Sequence, residues 1–268
     1  MSKKKQAGGH PLQDVLTTII NDREVVKPKQ RMISSKPITF HIQLTDEQKM
    51  AKAIILENVV TFLKGKPGTA KSTLACNAAL DRLIKGHVDK ILITRPTVQA
   101  SEDQGFQPGD SFDPYSGKMA PYISPLLETM YKLRSKDEID AMIKKEQIQI
   151  QPINFVRGKN FENVFVIVDE SQNLKVEELK ALTTRICNNS WMVFTSDINQ
   201  IDLRYKGDSS AHFVNAICRL PEVALVELTE NFRHPLALAI MDVIDSEIYN
   251  KKNNEILKSE RASESIRG

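Results

Sequence analysis

Gly65-Lys66-Pro67-Gly68-Thr69-Ala70-Lys71-Ser72 is the stretch on which the reading of this chain turns. A β-rich run, Asn58–Leu63, precedes it. A segment with Leu74 and Ala78 on one face follows, and it reads as a helix from Lys71 to about Lys85 with Gly86 as its stop. A glycine-containing loop between a strand and a helix, close to G-x-x-x-x-G-K-S/T, has the form of a phosphate loop. Backbone N–H groups turn inward around the β-phosphate, and the helix start adds the positive end of its dipole. Lys71 then reaches the β- and γ-phosphates, and the Ser72 hydroxyl holds Mg²⁺. Gly65, Lys66, Pro67, Gly68, Thr69, Ala70, Lys71, Ser72 and Thr73 are the candidate nucleotide-binding residues. The bland reading is an ordinary strand-to-helix turn with a chance Lys-Ser pair.

Ala70 departs from the pattern, which has glycine at the sixth position. If that position needs a positive φ, alanine costs ~1–2 kcal/mol. If it lies in the helical region, the change adds little beyond a Cβ near the phosphates.

Working outward, Val164-Phe165-Val166-Ile167-Val168 is an apolar strand that delivers Asp169 and Glu170 at its carboxyl end. Asp169 is placed to complete the Mg²⁺ shell opposite Ser72, and Glu170 to orient and deprotonate an attacking water. Alone, such a pair is often a strand running out into solvent. After a phosphate loop in the same sheet it becomes a metal and base pair. The strand Lys90–Thr94 intervenes between the two motifs in sequence.

Other segments fill in an α/β pattern. Thr45-Asp46-Glu47-Gln48 matches a capping box, with a helix continuing to Glu57. Helices are expected at Ile123–Arg134, Lys136–Lys145, Val176–Ile186 and Leu236–Tyr249. Strands are expected at Ile148–Val156 (interrupted by Pro152), Trp191–Thr195 and Val223–Leu228. Short apolar strands alternating with helices predict a mostly parallel sheet covered on both faces. Its ligand belongs outside the carboxyl ends of the strands. The expected organisation is a flexible basic arm over residues 1–37, one domain over 38–249 with an insert at 97–122, and a polar tail over 250–268.

Composition sets limits. The 268 residues are 41% hydrophobic and 26% charged, enough for a packed core. Net charge is +3, but residues 1–36 carry eight basic and three acidic residues, so the remainder is net −2. Basic character therefore sits in the arm, which argues against a strong non-specific nucleic-acid surface on the core. Apolar runs are too short for a spanning helix, and Lys3, Lys4 and Lys5 precede no apolar signal core, so the expectation is a cytoplasmic protein with no membrane partner. Cys76, Cys187 and Cys218 are odd in number and lack a Cys-x-x-Cys pair, which suits small buried side chains in a reducing compartment.

Further motifs go beyond a generic nucleotide site. Thr94-Arg95-Pro96 follows one strand. Phe155-Val156-Arg157-Gly158 precedes the acidic strand, and Asp169-Glu170-Ser171-Gln172-Asn173 continues it. Arg185 closes the next helix. Thr195-Ser196-Asp197-Ile198-Asn199-Gln200-Ile201-Asp202 and Asn231-Phe232-Arg233-His234-Pro235 come last. In this order they resemble the PhoH-like (phosphate-starvation-inducible) ATPase family over roughly residues 40–245, a family itself similar to the first motor domain of superfamily 1 helicases. The resemblance implies a single RecA-like domain that binds and hydrolyses Mg-ATP. It implies coupling to single-stranded nucleic acid, RNA ahead of DNA, and self-association into a ring such as a hexamer. It assigns Gln200 to γ-phosphate sensing, Arg233 to a γ-phosphate contact from the same or a neighbouring subunit, and Gln48 to adenine. Ser196, like Ala70, stands where glycine is usual; both changes could lower turnover without removing binding.

Each assignment has a plainer rival. Gln48 is also the capping-box partner of Thr45. Gln200 could simply bond its own loop, and Arg233 could be a surface arginine ahead of a proline-led helix. Arg95 and Arg157 could pair buried carboxylates or contact nucleic-acid phosphates. The insert interleaves Phe106, Phe112, Tyr115 and Tyr122 with Lys118, a base-stacking composition, yet Glu102, Asp103, Asp110 and Asp113 make it acidic. A second motor core has too little chain, so the expected motor completes its site at a subunit interface. The rival functions are an ATP-controlled assembly module without unwinding activity and a small-molecule kinase. Glu170 directly after Asp169 favours water as nucleophile over the kinase.

Overall fold

The computed structural model describes residues 42–96, 120–151, 153–156, 158–197, 209–244 and 246–247. The basic arm, the bulk of the insert, Arg157, Gln200 and the polar tail lie outside the described residues.

Among the described residues, six strands form one sheet in which every pairing is parallel: β1 (Val60–Gly65), β2 (Lys90–Thr94), β3 (Ile148–Ile150), β4 (Val164–Val168), β5 (Trp191–Ser196) and β6 (Val223–Leu228). Their order across the sheet is β3-β2-β4-β5-β1-β6. The phosphate-loop strand β1 and the acidic strand β4 are thus separated in space by β5, and β2 lies beyond β4. β4 is buried along its whole length, as its unbroken Val/Ile/Phe run requires of a central parallel strand.

Helices cover both faces. On one face lie α1 (Asp46–Glu57), α2 (Lys71–Ile84), α3 (Ala120–Leu133) and α4 (Lys136–Lys144). They pack Ile55, Leu74, Leu80, Met130, Leu133 and Ile139 against Leu63, Ile91, Ile93, Phe165 and Ile167. On the other lie α5 (Ile153–Val156), α6 (Val176–Thr183) and α7 (Val214–Ile217), with Val156, Leu179 and Leu182 against Phe62, Val166, Val168 and Phe194. Phe62 and Phe194 stack with centroids 4.6 Å apart, which joins β1 to β5. The α/β class with both sheet faces covered holds. Residues 235–244 are helical, in line with the expected last helix.

Boundaries moved where backbone chemistry outweighs periodicity. Gly86 ends α2 as expected: it takes φ +69°, while His87 N–H donates to Arg82 O at 2.9 Å and Gly86 N–H to Leu83 O at 3.0 Å. The expected strand Ile148–Val156 divides around Pro152 into β3 and the helical turn α5, because proline cannot donate to a strand ladder. α3 starts at Ala120 rather than Ile123 and carries Pro125 within it. α6 stops at Thr183 rather than Ile186, since Phe161 N–H donates to Arg185 O and Cys187 N–H to Phe161 O, which draws that segment into a bridge. Cys76 is buried, but Cys187 is exposed, against the expectation of buried cysteines.

Candidate functional site

Residues 66–70 carry the chain from β1 into α2 at the carboxyl edge of the sheet. Gly68 has φ +91°, and a Cβ there would lie 2.6 Å from Asn231 Oδ1 and 2.7 Å from Arg233 Cγ. Only glycine permits that approach. At Gly65 a Cβ would lie 2.6 Å from Thr69 Oγ1 and 2.8 Å from Leu228 O. Ala70 has φ 61° and ψ 26°, the left-handed conformation. The position does require a positive φ, so alanine is strained by about 1–2 kcal/mol.

Lys71 Nζ donates to Gly65 O at 2.6 Å and Lys66 O at 3.0 Å, which folds the ammonium over the loop. Burial pushes its pKa below the ordinary value; Asp197, Glu170 and Asp169 oppose that shift. Those three carboxylates favour the charged ammonium, so Lys71 keeps a positive charge beside the loop.

The acids meet this loop from β4. Asp169 is nearly buried. Its Oδ1 accepts from Ser72 Oγ at 2.9 Å and from Thr195 Oγ1 at 2.6 Å. Ser72 and Asp169 therefore offer hard oxygens within one hydrogen bond of each other, the kind of partial shell that suits Mg²⁺, which keeps waters and substrate phosphates as its other ligands. Among the described residues no cluster of three or more His, Cys, Asp or Glu is placed to hold a metal. Glu170 follows in a left-handed conformation, φ 52° and ψ 41°. Its Oε2 accepts from Gln172 Nε2 at 2.5 Å, and its Oε1 lies 3.7 Å from Arg95 Nη2.

Gln172 is fully buried and ties several parts together. Besides Glu170, its Oε1 accepts from Asp197 N at 3.1 Å, and its carbonyl accepts from Ser209 Oγ at 2.6 Å. It thus ties Asp197 and Ser209 to the acidic pair.

The Asn231-Phe232-Arg233 segment comes off β6 and closes the far side. Asn231 Nδ2 donates to Pro67 O at 2.8 Å, and Phe232 N to Gly68 O at 3.0 Å. Asn231 Oδ1 accepts from Arg233 N at 3.0 Å. Glu47, from the first turn of α1, holds the segment upstream: its carboxylate accepts from Thr229 N at 2.9 Å, Thr229 Oγ1 at 2.7 Å and Glu230 N at 3.1 Å. Partial burial works against the Glu47 charge, but these donors outweigh it and hold its pKa below the ordinary 4.5.

Together these elements enclose a cavity of about 270 Å³ lined by Pro67, Gly68, Ala70, Lys71, Ser72, Thr73, Asp169, Glu170, Thr195, Ser196, Asp197 and Arg233. The phosphate loop, the acidic pair and Arg233 of one chain converge there. Gln48 does not line it; the side chain is buried, and its Oε1 accepts from Thr45 N in the capping box. A second cavity of about 360 Å³ lies beside it, between Gly65, Lys66, Thr69, the end of β6 and the helix at 235–244; it contains neither Lys71 nor the acids. Sequence reading passed over Thr195, Gln172, Asn231 and Glu47. The first three sit inside the motifs quoted above, so their signal was present without an assigned role. Nothing in the sequence links Glu47 to residue 229.

A parallel sheet with a phosphate loop after β1, an acidic pair after β4 and β5 between them defines a P-loop nucleotide-binding protein. The family model described as "PhoH-like protein" matches residues 42–245. The chain belongs to the PhoH-like family. It is 33% identical over 204 residues to a PhoH-like protein of Bacillus subtilis, covering 75% of this chain and 62% of that one. It is 34% identical over 154 residues to Protein PhoH of Escherichia coli K12, covering 57% and 42%. The chain therefore spans about three fifths or less of these relatives' length. Among solved structures, Pif1 helicase from Candida albicans is similar with a TM-score of 0.40 and 18% identity, over 76% of this chain and 44% of that one. Bacteroides Pif1 bound to ssDNA follows, at 0.38 and 19%, over 75% and 46%. No helix among the described residues is long and apolar enough to cross a membrane.

Proposed function

We propose that this chain binds Mg-ATP in the smaller cavity, hydrolyses it, and couples that hydrolysis to single-stranded nucleic acid, RNA ahead of DNA, as an oligomeric motor. The observation that carries the reading is the convergence of Lys71, Ser72, Asp169, Glu170 and Arg233 on one cavity. Loop N–H groups and Lys71 grip the β- and γ-phosphates. Ser72 and Asp169 would hold Mg²⁺, which would supply charge neutralisation for the phosphates. Glu170 takes a proton from the attacking water. Arg233 approaches from the same chain, with its aliphatic stem over Gly68, and reaches developing charge on the γ-phosphate in cis. Exposed Phe232 beside it offers a ring to the base. The Gln48 and Gln200 roles remain part of the proposal, Gln48 toward adenine and Gln200 toward the γ-phosphate.

A second reading, an ATP-controlled assembly module without unwinding activity, is supported by one feature. Leu236, Ile240, Val243 and Ile244 form an exposed apolar stripe along the helix that follows Arg233. A stripe of that kind supports self-association. The test is the ATPase rate of the purified chain with and without single-stranded RNA or DNA of matched sequence. Stimulation, larger with RNA, is the expected result. A rate indifferent to both favours the assembly module.

A further inference from the structure

Asp169 is held from two sides, and only one of its partners belongs to the phosphate loop. Alternation along the strands sets this up. Phe165 and Ile167 of β4 and Val193 of β5 pack on the face of the sheet that α2 covers. A period of two carries Asp169 and Thr195 to that same face. β4 and β5 are hydrogen-bonded neighbours, in register as far as Val168 beside Phe194. Asp169 and Thr195 come next, at the first turn of α2, which carries Ser72. Thr195 is buried, and its Oγ1 donates to Asp169 Oδ1 at 2.6 Å. Ser72 Oγ donates to the same oxygen at 2.9 Å. Both acceptor positions of Oδ1 are thus used within the protein, and among the described residues no donor reaches Oδ2. The two donors differ in freedom. Ser72 is the residue whose oxygen would also serve Mg²⁺. Thr195 is β-branched and stiff about χ1, and its own carbonyl is pinned by Ser171 Oγ at 3.0 Å. A buried strand threonine in this sheet does not have to find a partner. The hydroxyls of Thr61 and Thr94 are also buried and have none among the described residues.

We infer that Thr195 is a positioning residue for the metal: it fixes the Asp169 carboxylate by Oδ1 so that Oδ2 is presented to the Mg²⁺ shell. It acts through Asp169 and is not a catalytic residue. This inference rests on the proposed function. It adds to the metal half of the site a partner from β5, the strand that lies between the phosphate loop and the acidic pair. With Ser72 alone, the carboxylate would keep one donor and could turn about its last side-chain bond. Two donors on one oxygen remove that freedom. Partners that orient a ligating carboxylate are commonly worth 10–100-fold in metal affinity.

The experiment compares wild type, Thr195→Val and Thr195→Ser. Valine keeps the shape and removes the donor; serine keeps the donor and drops a methyl. Thr195→Ala replaces the valine variant if that protein does not fold. Three quantities are read: Mn²⁺ binding to the ADP-loaded chain by electron paramagnetic resonance, ADP affinity in EDTA, and the Mg²⁺ dependence of the ATPase rate. Thr195→Val is expected to weaken Mn²⁺ binding about 10–100-fold and to raise the half-maximal Mg²⁺ concentration by a similar factor. Its kcat at saturating Mg²⁺ and its ADP affinity in EDTA should stay near wild type. Thr195→Ser should stay close to wild type in all three. Unaltered Mn²⁺ binding in Thr195→Val overturns the inference. So does an ADP affinity in EDTA that falls as far as the Mn²⁺ affinity, because a structural role would move both. So does a Thr195→Ser protein that behaves like Thr195→Val. A wild type that binds no magnesium nucleotide contradicts the proposed function itself. A wild type that binds it, beside a Thr195→Val protein with the same metal dependence, contradicts this inference alone.

Discussion

The two walls of the cavity are built differently. On the β1–β6 wall the contacts run to backbone: Asn231 to Pro67 O, Phe232 N to Gly68 O, and Glu47 to the N–H groups of Thr229 and Glu230. On the β2–β4–β5 wall the working carboxylates are held by side chains: Asp169 by Ser72 and Thr195, Glu170 by Gln172 and Arg95. Backbone partners cannot rotate away, so the first wall is fixed in shape. Side-chain partners can exchange with water, metal or phosphate, so the second wall can change state during a cycle. Each wall also carries one non-glycine residue in the left-handed region, Ala70 and Glu170. Strain of this kind persists only where the surroundings over-determine it, and it clusters at functional sites.

Substitutions on the two walls should therefore separate turnover from affinity. The largest effect is expected from Glu170→Gln, which keeps shape and hydrogen bonding but removes the base. Its kcat should fall about 10²–10⁴-fold in a steady-state assay while Mg-ATP affinity stays near wild type. Wild-type turnover in that variant would remove Glu170 from the chemistry. Asn231→Ala acts on the rigid wall. It deletes the bonds to Pro67 O and from Arg233 N, and should weaken Mg-ATP binding roughly tenfold and lower stability by about 1–3 kcal/mol in urea titration. A change in kcat with unchanged affinity would erase the contrast between the walls.

Glu47→Gln should be milder, because one amide oxygen still accepts. A drop of about two- to tenfold in Mg-ATP affinity, with kcat near wild type, is expected. Its pH behaviour sharpens the point. The folded-state pKa of Glu47 is depressed, so the latch is at full strength above its ordinary value of 4.5 and is lost as pH falls through the folded value below that. Acid unfolding followed by circular dichroism should show wild type losing an advantage over Glu47→Gln only below about pH 4.5. A difference that vanishes near pH 6 would point to another group. The smallest effect is Ala70→Gly. Release of left-handed backbone strain in the loop, less the extra flexibility of glycine in the unfolded chain, leaves a gain below about 1 kcal/mol, or ~2–4 °C in melting temperature. A lower melting temperature would show that Ala70 is not strained.

Much of this site was legible in the sequence because its parts are local. A strand, a loop and a helix start are contiguous over residues 60–84, so the spacing of Gly65, Gly68, Lys71 and Ser72 already fixes the phosphate cradle. The acidic pair was legible for the same reason, since five buried apolar residues end on Asp169. Ala70 was flagged as a departure, but its conformation depends on how the loop closes, which no spacing encodes. The strand order was not legible either: β5, which starts 131 positions after the start of β1 (191 − 60), enters between β1 and β4, a consequence of packing. Glu47 illustrates the limit most clearly. Its partners lie 182 and 183 positions away, and its local context reads fully as a helix cap. Gln48 shows the reverse, a motif residue whose side-chain oxygen serves that cap.

Equilibrium titration of the wild-type chain with Mg-ATP, run in parallel with Lys71→Ala, addresses the central claim without intermediaries. The account predicts saturable binding by wild type and a loss of about 10- to 150-fold for Lys71→Ala, the worth of one charged hydrogen bond to phosphate. Equal affinity in the two proteins, or no binding of any magnesium nucleoside triphosphate by wild type, would contradict it.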